Sequence, residues 1–237
     1  MSNSGLVEYT KYSPHQRGKK THAIDRITPH CVVGQCTIEA LGAEFSKATK
    51  NASSNYGIDK DGRIGLFVDE DCRAITSSSS ENDNRSITIE CASDVSAPWA
   101  FRDIVWQRLI ELCIDICKRN GKTKLLWFGD KEETLNYNPK ADEMVLSVHR
   151  WFSNRACPGD WCYSRLGELA DRVTDALKPK TAVHWYDDAM AWAETVGLIK
   201  DGRPNDSVTR AELATVLMRY HYTFNGEDSK SESGLLS

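Results

Sequence analysis

The chain has 237 residues, 40% of them hydrophobic, which is enough to bury one main core and leave material for a smaller module. Its formal net charge of -4 provides no basic field for a polyanion, so nucleic acid is not an expected partner. No apolar run reaches the roughly 18–20 residues of a membrane span, and the polar start at residues 1–5 is unlike a secretion signal, so we expect a cytosolic protein unless another route releases it.

The first elements in the chain are an arm, a strand and a helix. Residues 1–22 are polar and are predicted to form a solvated N-terminal arm. The short apolar run at residues 27–33 contains His30 and predicts a strand. In residues 37–50 the apolar positions recur at intervals of three and four, which predicts one buried helix face: Ile38, Leu41, Phe45 and Ala48.

A hairpin and a second strand follow. Apolar residues flank Asp61-Gly62, a pair typical of a tight turn, so residues 56–68 are predicted to form a hairpin. Residues 77–84 are predicted to form a polar surface loop. In residues 87–91, alternation places Glu90 on the face opposite Ile87 and Ile89. A carboxylate in such a run requires a reason, because an unpaired buried charge is costly.

The next segment predicts a crossover. Ser96 and Pro98 are typical of a helix start, and Gly121 ends the apolar stripe that follows. Residues 125–128 are predicted to form the strand that this helix feeds. Strand, helix and strand in this order indicate parallel pairing in one sheet. A last helix of this domain, within residues 166–177, is ended by Pro179.

The composition changes at residues 178–180, which we interpret as a linker. The domains are therefore residues 23–178, a small helical module at 179–224 and a disordered tail at 225–237. In the module, Asp187 or Asp188 is predicted to cap one helix that Gly197 ends. Thr209 and Glu212 have the spacing of a capping box for a second helix.

Histidine and cysteine residues suggest a metal site. Alternation in residues 144–149 places His149 at the exit of a strand, and Cys157 follows in a loop bent by Pro158-Gly159. The third ligand is predicted to be His30, with Cys31 as its rival; Cys162 is the rival of Cys157. Three ligands with an open position would describe a catalytic zinc, and four would describe a structural one. Five other cysteines are predicted to lie in the core: Cys36, Cys72, Cys91, Cys113 and Cys117.

Three further side chains have chemistry that suits such a site. Glu90 is predicted to be the general base that takes a proton from water and returns it to a leaving nitrogen. Tyr56 could hydrogen-bond a developing oxyanion, and Arg155 could add positive charge there.

These residues together resemble the zinc-dependent N-acetylmuramoyl-L-alanine amidases of the T7 lysozyme and peptidoglycan recognition protein family, over about residues 22–178. The likeness is carried by His30, Tyr56 to Gly62, Asn84 to Glu90, and His149 with Cys157 to Asp160. It implies an α/β fold with a mixed central sheet flanked by helices and one Zn²⁺ held by His30, His149 and Cys157. It also implies cleavage of the amide between N-acetylmuramic acid and L-alanine in peptidoglycan, with Tyr56 and Glu90 at catalytic positions.

The chain departs from the family pattern in two places. Many members have lysine where this chain has Arg155, and a guanidinium is a far poorer proton donor. Residues 74–77 replace the frequent Trp-His-Ala/Ser-Gly, which puts the substrate contacts expected there in doubt. Some family members bind peptidoglycan without cleaving it, usually where the cysteine ligand is missing. The presence of Cys157 favours the enzyme over such a binder and over a structural zinc protein.

The small module resembles a single S-layer homology repeat over about residues 181–221, carried by residues 185–188, 197–199 and 208–212. Such repeats usually anchor proteins to cell-wall polymer, so one copy suggests weak anchoring to a secondary wall polymer or self-association as a homo-oligomer. An amidase with such a module and no signal is expected to be a phage or prophage endolysin. It would reach the wall after the membrane is permeabilised. A host autolysin exported by another route is the alternative.

Overall fold

The computed structural model describes residues 3–179, 186–199 and 207–225, and the chain divides into two units, Met1–Lys178 and Pro179–Ser237. The first unit contains a seven-stranded sheet with the order β1-β4-β3-β5-β2-β7-β6. Its strands are β1 Tyr9–Thr10, β2 Arg26–Cys31, β3 Tyr56–Ile58, β4 Ile64–Leu66, β5 Ser86–Cys91, β6 Lys124–Leu126 and β7 Glu143–Leu146.

The sheet is mixed and mainly parallel. Only β3 and β4 pair antiparallel, and they form the hairpin predicted around Asp61-Gly62, where Gly62 has a φ of 87°. All the other neighbouring strands pair in parallel, with β2 between β5 and β7. The predicted α/β architecture, a mixed central sheet flanked by helices, is confirmed.

Six helices accompany this sheet: α1 Ile38–Phe45, α2 Ser80–Asp83, α3 Asp103–Arg119, α4 Lys131–Asn136, α5 Asp160–Tyr163 and α6 Leu166–Leu177. The main hydrophobic core lies between one sheet face and helices α3 and α6, and it includes Ile87, Ile89 and Cys91 of β5. A smaller cluster forms around α1, with Ile38, Leu41, Phe45 and Phe67. Because Gly57 and Gly65 lack a Cβ, the side chains of α1 approach the strands closely; a Cβ at either glycine would lie 2.6 Å from Leu41 or Ile38.

The N-terminal segment differs from the predicted solvated arm. Strand β1 pairs with β4, the side chains of Ser4 and Ser13 are buried, and Lys19 forms a bridge with Cys72. Residues 3–22 are therefore packed against the domain. The prediction failed because the pairing is long-range and the strand has only two residues.

Two other local predictions need correction. Helix α3 begins at Asp103 and not at Pro98, because Trp99 adopts a left-handed φ of 58° that no helix accepts. Residues 77–84 are not an exposed loop, since they contain α2 and the side chains of Ser77 and Asn82 are fully buried. Of the predicted core cysteines, Cys91, Cys113 and Cys117 are buried, whereas Cys36 and Cys72 are partly exposed.

The second unit contains the two predicted helices, α7 Asp187–Thr195 and α8 Arg210–Asn225. Thr209 Oγ1 accepts a hydrogen bond from the Glu212 N–H at 3.2 Å, and the Thr209 N–H donates to the Glu212 carboxylate at 2.8 Å, which is the predicted capping box. Residue 185 lies outside the described residues, as does the predicted tail at 225–237 except for Asn225, which ends α8. None of the described helices has the length and apolar content to cross a bilayer.

Candidate active site

The candidate site lies at the carboxyl ends of three adjacent parallel strands. His30 and Glu90 are register partners near the ends of β2 and β5, so their side chains lie on the same face of the sheet. His149 begins a 3-10 turn shortly after β7, in agreement with its predicted position at a strand exit. Ligands of parallel α/β sheets characteristically bind at this edge, because the loops after the strands converge there.

The structure brings His30, His149 and Cys157 together. Each offers one ligand atom, and these atoms lie within 4.8 Å of one another. The Cys157 Sγ is 3.2 Å from His30 Nδ1, and the two imidazole rings have centroids 5.1 Å apart. Tetrahedral zinc with bonds of about 2.0–2.3 Å places its ligand atoms about 3.3–3.8 Å apart. The rivals Cys31 and Cys162 are not members of this cluster in the described part of the chain.

The loop that carries Cys157 is held against the turn that carries His149. The Arg150 N–H donates to the Cys157 carbonyl at 3.1 Å, and the Arg150 guanidinium pairs with Asp160. Gly159 lets this loop approach Trp99 closely, since its φ is 85° and an added Cβ would lie 2.8 Å from Trp99 Cβ. The Cys157 thiol and the His149 imidazole are therefore positioned by one compact unit formed by this loop and this turn.

The two histidines are neutral and can bind a metal ion as they are, whereas the Cys157 thiol must first lose its proton. Burial, and secondarily His149, lowers the pKa of His30 well below its ordinary value, so its imidazole is neutral with a lone pair available. The Cys31 side chain and burial raise the pKa of the Cys157 thiol well above its usual range. The Cys31 N–H, which donates to Cys157 Sγ at 3.4 Å, favours a thiolate. Two neutral imidazoles and one thiolate form a donor set that fits zinc, and their binding would release the thiol proton.

Glu90 lies beside the cluster, next to His30. Its Oε1 is 3.9 Å from His30 Nδ1, and 18% of its side chain is exposed. Burial raises the pKa of Glu90 to about 7. A carboxyl group with this pKa can both accept and return a proton near neutral pH.

Tyr56 does not face the cleft, and this part of the sequence interpretation is wrong. Tyr56 is in register with Ile89, so its side chain lies on the α3 face of the sheet, opposite Glu90. It is fully buried; its hydroxyl donates to Glu70 at 2.7 Å and accepts from the Ser4 N–H at 2.8 Å. Arg119 binds the same carboxylate. Tyr56 therefore belongs to a structural network.

The site opens into a cleft with a volume of about 560 Å³. Arg155 is exposed at this cleft, and its charge contributes, after burial, to lowering the pKa of His149. The cleft is lined by His30, Cys31, Val33, Asn51, Ala52, Ile75, Thr76, Ser78, Glu90, Trp99, His149, Arg155, Ala156 and Cys157.

The sequence interpretation missed several cleft residues, among them Val33, Ser78 and Trp99. These three are the non-glycine residues with positive φ in the part of the chain that the structure describes, at 60°, 64° and 58°. Such conformations cost about 1–3 kcal/mol each and are found preferentially at functional sites. Left-handed positions are usually signalled by glycine or asparagine, and these three residue types carry no such signal.

The fold is shared with known structures. Staphylococcus aureus hydrolase AmiA, solved with its ligand, superposes with a TM-score of 0.50 at 13% identity, over 75% of this chain and 85% of AmiA. An AmpD structure has a TM-score of 0.49 at 17% identity, covering 70% of this chain and 96% of AmpD. Drosophila peptidoglycan recognition protein SD has a TM-score of 0.48 at 15% identity, covering 67% and 88%. A search of curated sequences gives no significant match.

The protein is thus an α/β protein with the type 2 amidase fold. The model of the N-acetylmuramoyl-L-alanine amidase family matches residues 20–160, more than half of the chain, so the chain belongs to that family. This match contains His30, Glu90, His149 and Cys157.

Proposed function

We propose that this protein is a zinc-dependent N-acetylmuramoyl-L-alanine amidase that cleaves the amide between N-acetylmuramic acid and L-alanine in bacterial peptidoglycan. The observation that carries the proposal is the cluster of His30, His149 and Cys157 at the strand ends, with Glu90 beside it. Family membership supports the peptidoglycan amidase activity, and the donor set supports zinc.

His30, His149 and Cys157 would hold the ion. When bound, Zn²⁺ supplies a Lewis acid that polarises a carbonyl group and lowers the pKa of water toward 7. Since the three side chains carry one negative charge in total, the centre stays positive.

Glu90 would move the proton. Its carboxylate accepts a proton from the attacking water and then protonates the departing nitrogen of L-alanine, so that the amide is replaced by a carboxylate and an amine. Arg155 at the cleft rim would stabilise negative charge on the carbonyl oxygen. Tyr56 has no part in this mechanism, because its side chain lies on the other face of the sheet.

The second unit supports a role at the cell wall. We infer that it attaches the enzyme to a secondary wall polymer or associates with another copy, as its likeness to an S-layer homology repeat implies. Wall lysis after release from a producing cell, as by a phage or prophage endolysin, would use both units.

The proposal is tested by incubating the full chain with purified peptidoglycan and identifying the new ends by mass spectrometry. New L-alanine amino termini without new reducing sugar ends are expected, and 1,10-phenanthroline should abolish them until Zn²⁺ is restored. His149→Ala and Cys157→Ser should lose both metal and lysis. Sacculi that are bound but remain intact would indicate a non-catalytic peptidoglycan binder, and full activity of either variant would refute the zinc site.

A further inference from the structure

Ser78 contacts one of the three clustered side chains directly. Its Oγ lies 2.9 Å from His149 Nε2, and it is the side-chain partner that the described structure gives to this ring nitrogen. The distance is that of a good hydrogen bond. An imidazole that binds a metal through one nitrogen commonly donates its other N–H to a fixed acceptor, which sets the ring orientation and the tautomer.

The backbone at Ser78 is held in place by buried polar groups. Asp83 accepts hydrogen bonds from the N–H groups of Thr76 and Ser77 at 3.0 and 3.1 Å, and this carboxylate is almost fully buried. Asn82, fully buried, donates to Thr28 at 3.0 Å and accepts from Ser147 at 2.9 Å, which connects this segment to β2 and to the end of β7. Residues 76–83 therefore form a rigid support on the sheet face that carries the site.

Ser78 itself is in an unfavourable conformation. Its φ of 64° would be adopted by glycine at no steric cost, and serine has no general advantage there. The rest of the fold therefore offsets the cost of this backbone conformation, and the result is a hydroxyl group held next to His149. Glycine would satisfy the backbone requirement but would leave His149 Nε2 without its partner.

The geometry points to Ser78 as a positioning residue that fixes His149 through Nε2 and leaves Nδ1 free to bind the metal. This inference rests on the proposed function, because it assumes that His149 is a metal ligand. In this role Ser78 acts through His149 and takes no part in the proton transfer itself. It acts by reducing the rotation of the His149 ring, so its loss weakens the metal site without removing a ligand.

The test compares Ser78→Gly with Ser78→Ala in the full chain. Both lack the hydroxyl; glycine relieves the left-handed strain and alanine keeps it. We expect Zn²⁺ and Co²⁺ affinity, measured by competition with a chromophoric chelator, to fall about 10-fold in both variants. The visible spectrum of the Co²⁺ protein should change in the same way in both. Metal-free Ser78→Gly should unfold at a temperature no lower than the unchanged protein.

Ser164→Ala is the matched control. Ser164 is an exposed serine whose hydroxyl donates to the Trp161 carbonyl at 3.1 Å, so its loss should leave metal affinity unchanged. Unchanged affinity in both Ser78 variants, or a loss confined to Ser78→Ala, would overturn the inference. If the unaltered protein fails to bind Zn²⁺, the proposed function is overturned. If it binds Zn²⁺ and both Ser78 variants bind it equally well, only the inference about Ser78 is overturned.

Discussion

Glu90 is a carboxyl group in surroundings that disfavour its ionised form. It is in a strand between β2 and β3, 18% of its side chain is exposed, and burial raises its pKa to about 7. A nearby Lys50 lowers that pKa, but its effect is smaller than that of burial. Functional sites are where proteins retain such groups, because a carboxyl group that titrates near neutral pH exchanges protons readily.

The first prediction concerns the proton-transfer role of Glu90. Glu90→Gln should lower kcat for cleavage of a soluble muramoyl-peptide by about 10²–10⁴-fold, because the amide can neither accept nor return the proton. Zn²⁺ content, measured by atomic absorption, should stay at the level of the unchanged protein. A variant that retains kcat would remove Glu90 from the mechanism, and one that loses zinc would show a structural role instead.

The second prediction concerns pH and stability in the metal-free protein. The pKa of Glu90 is raised from 4.5 to about 7, so the folded state binds the proton more tightly than the unfolded state. The stability that the protonated Glu90 allows is fully present below pH 4.5, and it is lost as the pH rises through about 7. The variant Glu90→Gln has no such loss. Its free energy of unfolding, measured in urea, should equal that of the unchanged protein at pH 4 and exceed it by about 3 kcal/mol at pH 8. A difference that does not vary with pH would contradict the raised pKa.

Much of the site could be predicted at the residue scale. The spacing of His149 and Cys157 and the alternation around Glu90 are local patterns, and the structure brings these residues together with His30. The sequence motif around Tyr56 predicts a strand but does not tell which face of the sheet its side chain occupies. The catalytic role expected for Tyr56 is wrong for this reason. That face follows from the register of β3 against β5, which depends on long-range pairing. Ser78 could not be predicted, since serine does not signal a left-handed backbone.

At the scale of elements, the N-terminal segment is attached to the domain through strand β1 and through the Tyr56 network. The Tyr56 hydroxyl joins the Ser4 N–H to the Glu70 carboxylate, and Arg119 of α3 completes the group. Four segments are connected here, namely the N-terminal segment, β3, the segment after β4 and α3, and the group lies on the sheet face opposite the site. Neither this network nor the burial of Ser77 and Asn82 follows from local periodicity, because both depend on polar partners elsewhere in the chain.

The third prediction separates this network from catalysis. Tyr56→Phe should destabilise the protein by about 1–3 kcal/mol, because the buried Glu70 carboxylate and the Ser4 N–H both lose a partner. Its kcat on a soluble muramoyl-peptide should stay within about twofold of the unchanged enzyme. Thermal unfolding and steady-state kinetics measure the two effects. A large loss of kcat without a loss of stability would restore the catalytic role first expected for Tyr56.

At the scale of the whole molecule, the chain consists of two units whose composition and size differ. The first, Met1–Lys178, contains the sheet, both hydrophobic clusters and the candidate site. The second has two described helices, and α8 exposes several large apolar side chains, among them Leu213, Leu217 and Tyr220. The predicted linker at residues 178–180 rests on the Lys-Pro-Lys sequence that follows the last amphipathic helix of this unit.

The fourth prediction is that catalysis and wall attachment can be separated at this boundary. Residues 1–178 alone should fold, bind Zn²⁺ and cleave a soluble muramoyl-peptide with kcat within about twofold of the full chain. Retention on sacculi, measured by sedimentation, should fall several-fold because the second contact with the wall is lost. Equal sedimentation of the two proteins would assign wall binding to the amidase unit alone.

The central place of β2 between β5 and β7 also determines when during synthesis the site can form. Strand β2 ends at Cys31, whereas β7 begins at Glu143, so the ribosome must extend the chain by more than a hundred residues before the two can pair. Contacts of such high sequence separation also slow folding, because closing the long loop costs entropy before the contact stabilises the chain. A nascent or prematurely terminated chain that lacks residues 143–157 has neither the neighbouring strand nor two of the three clustered side chains. The proposed metal site can thus form in the nearly finished domain and not in such fragments.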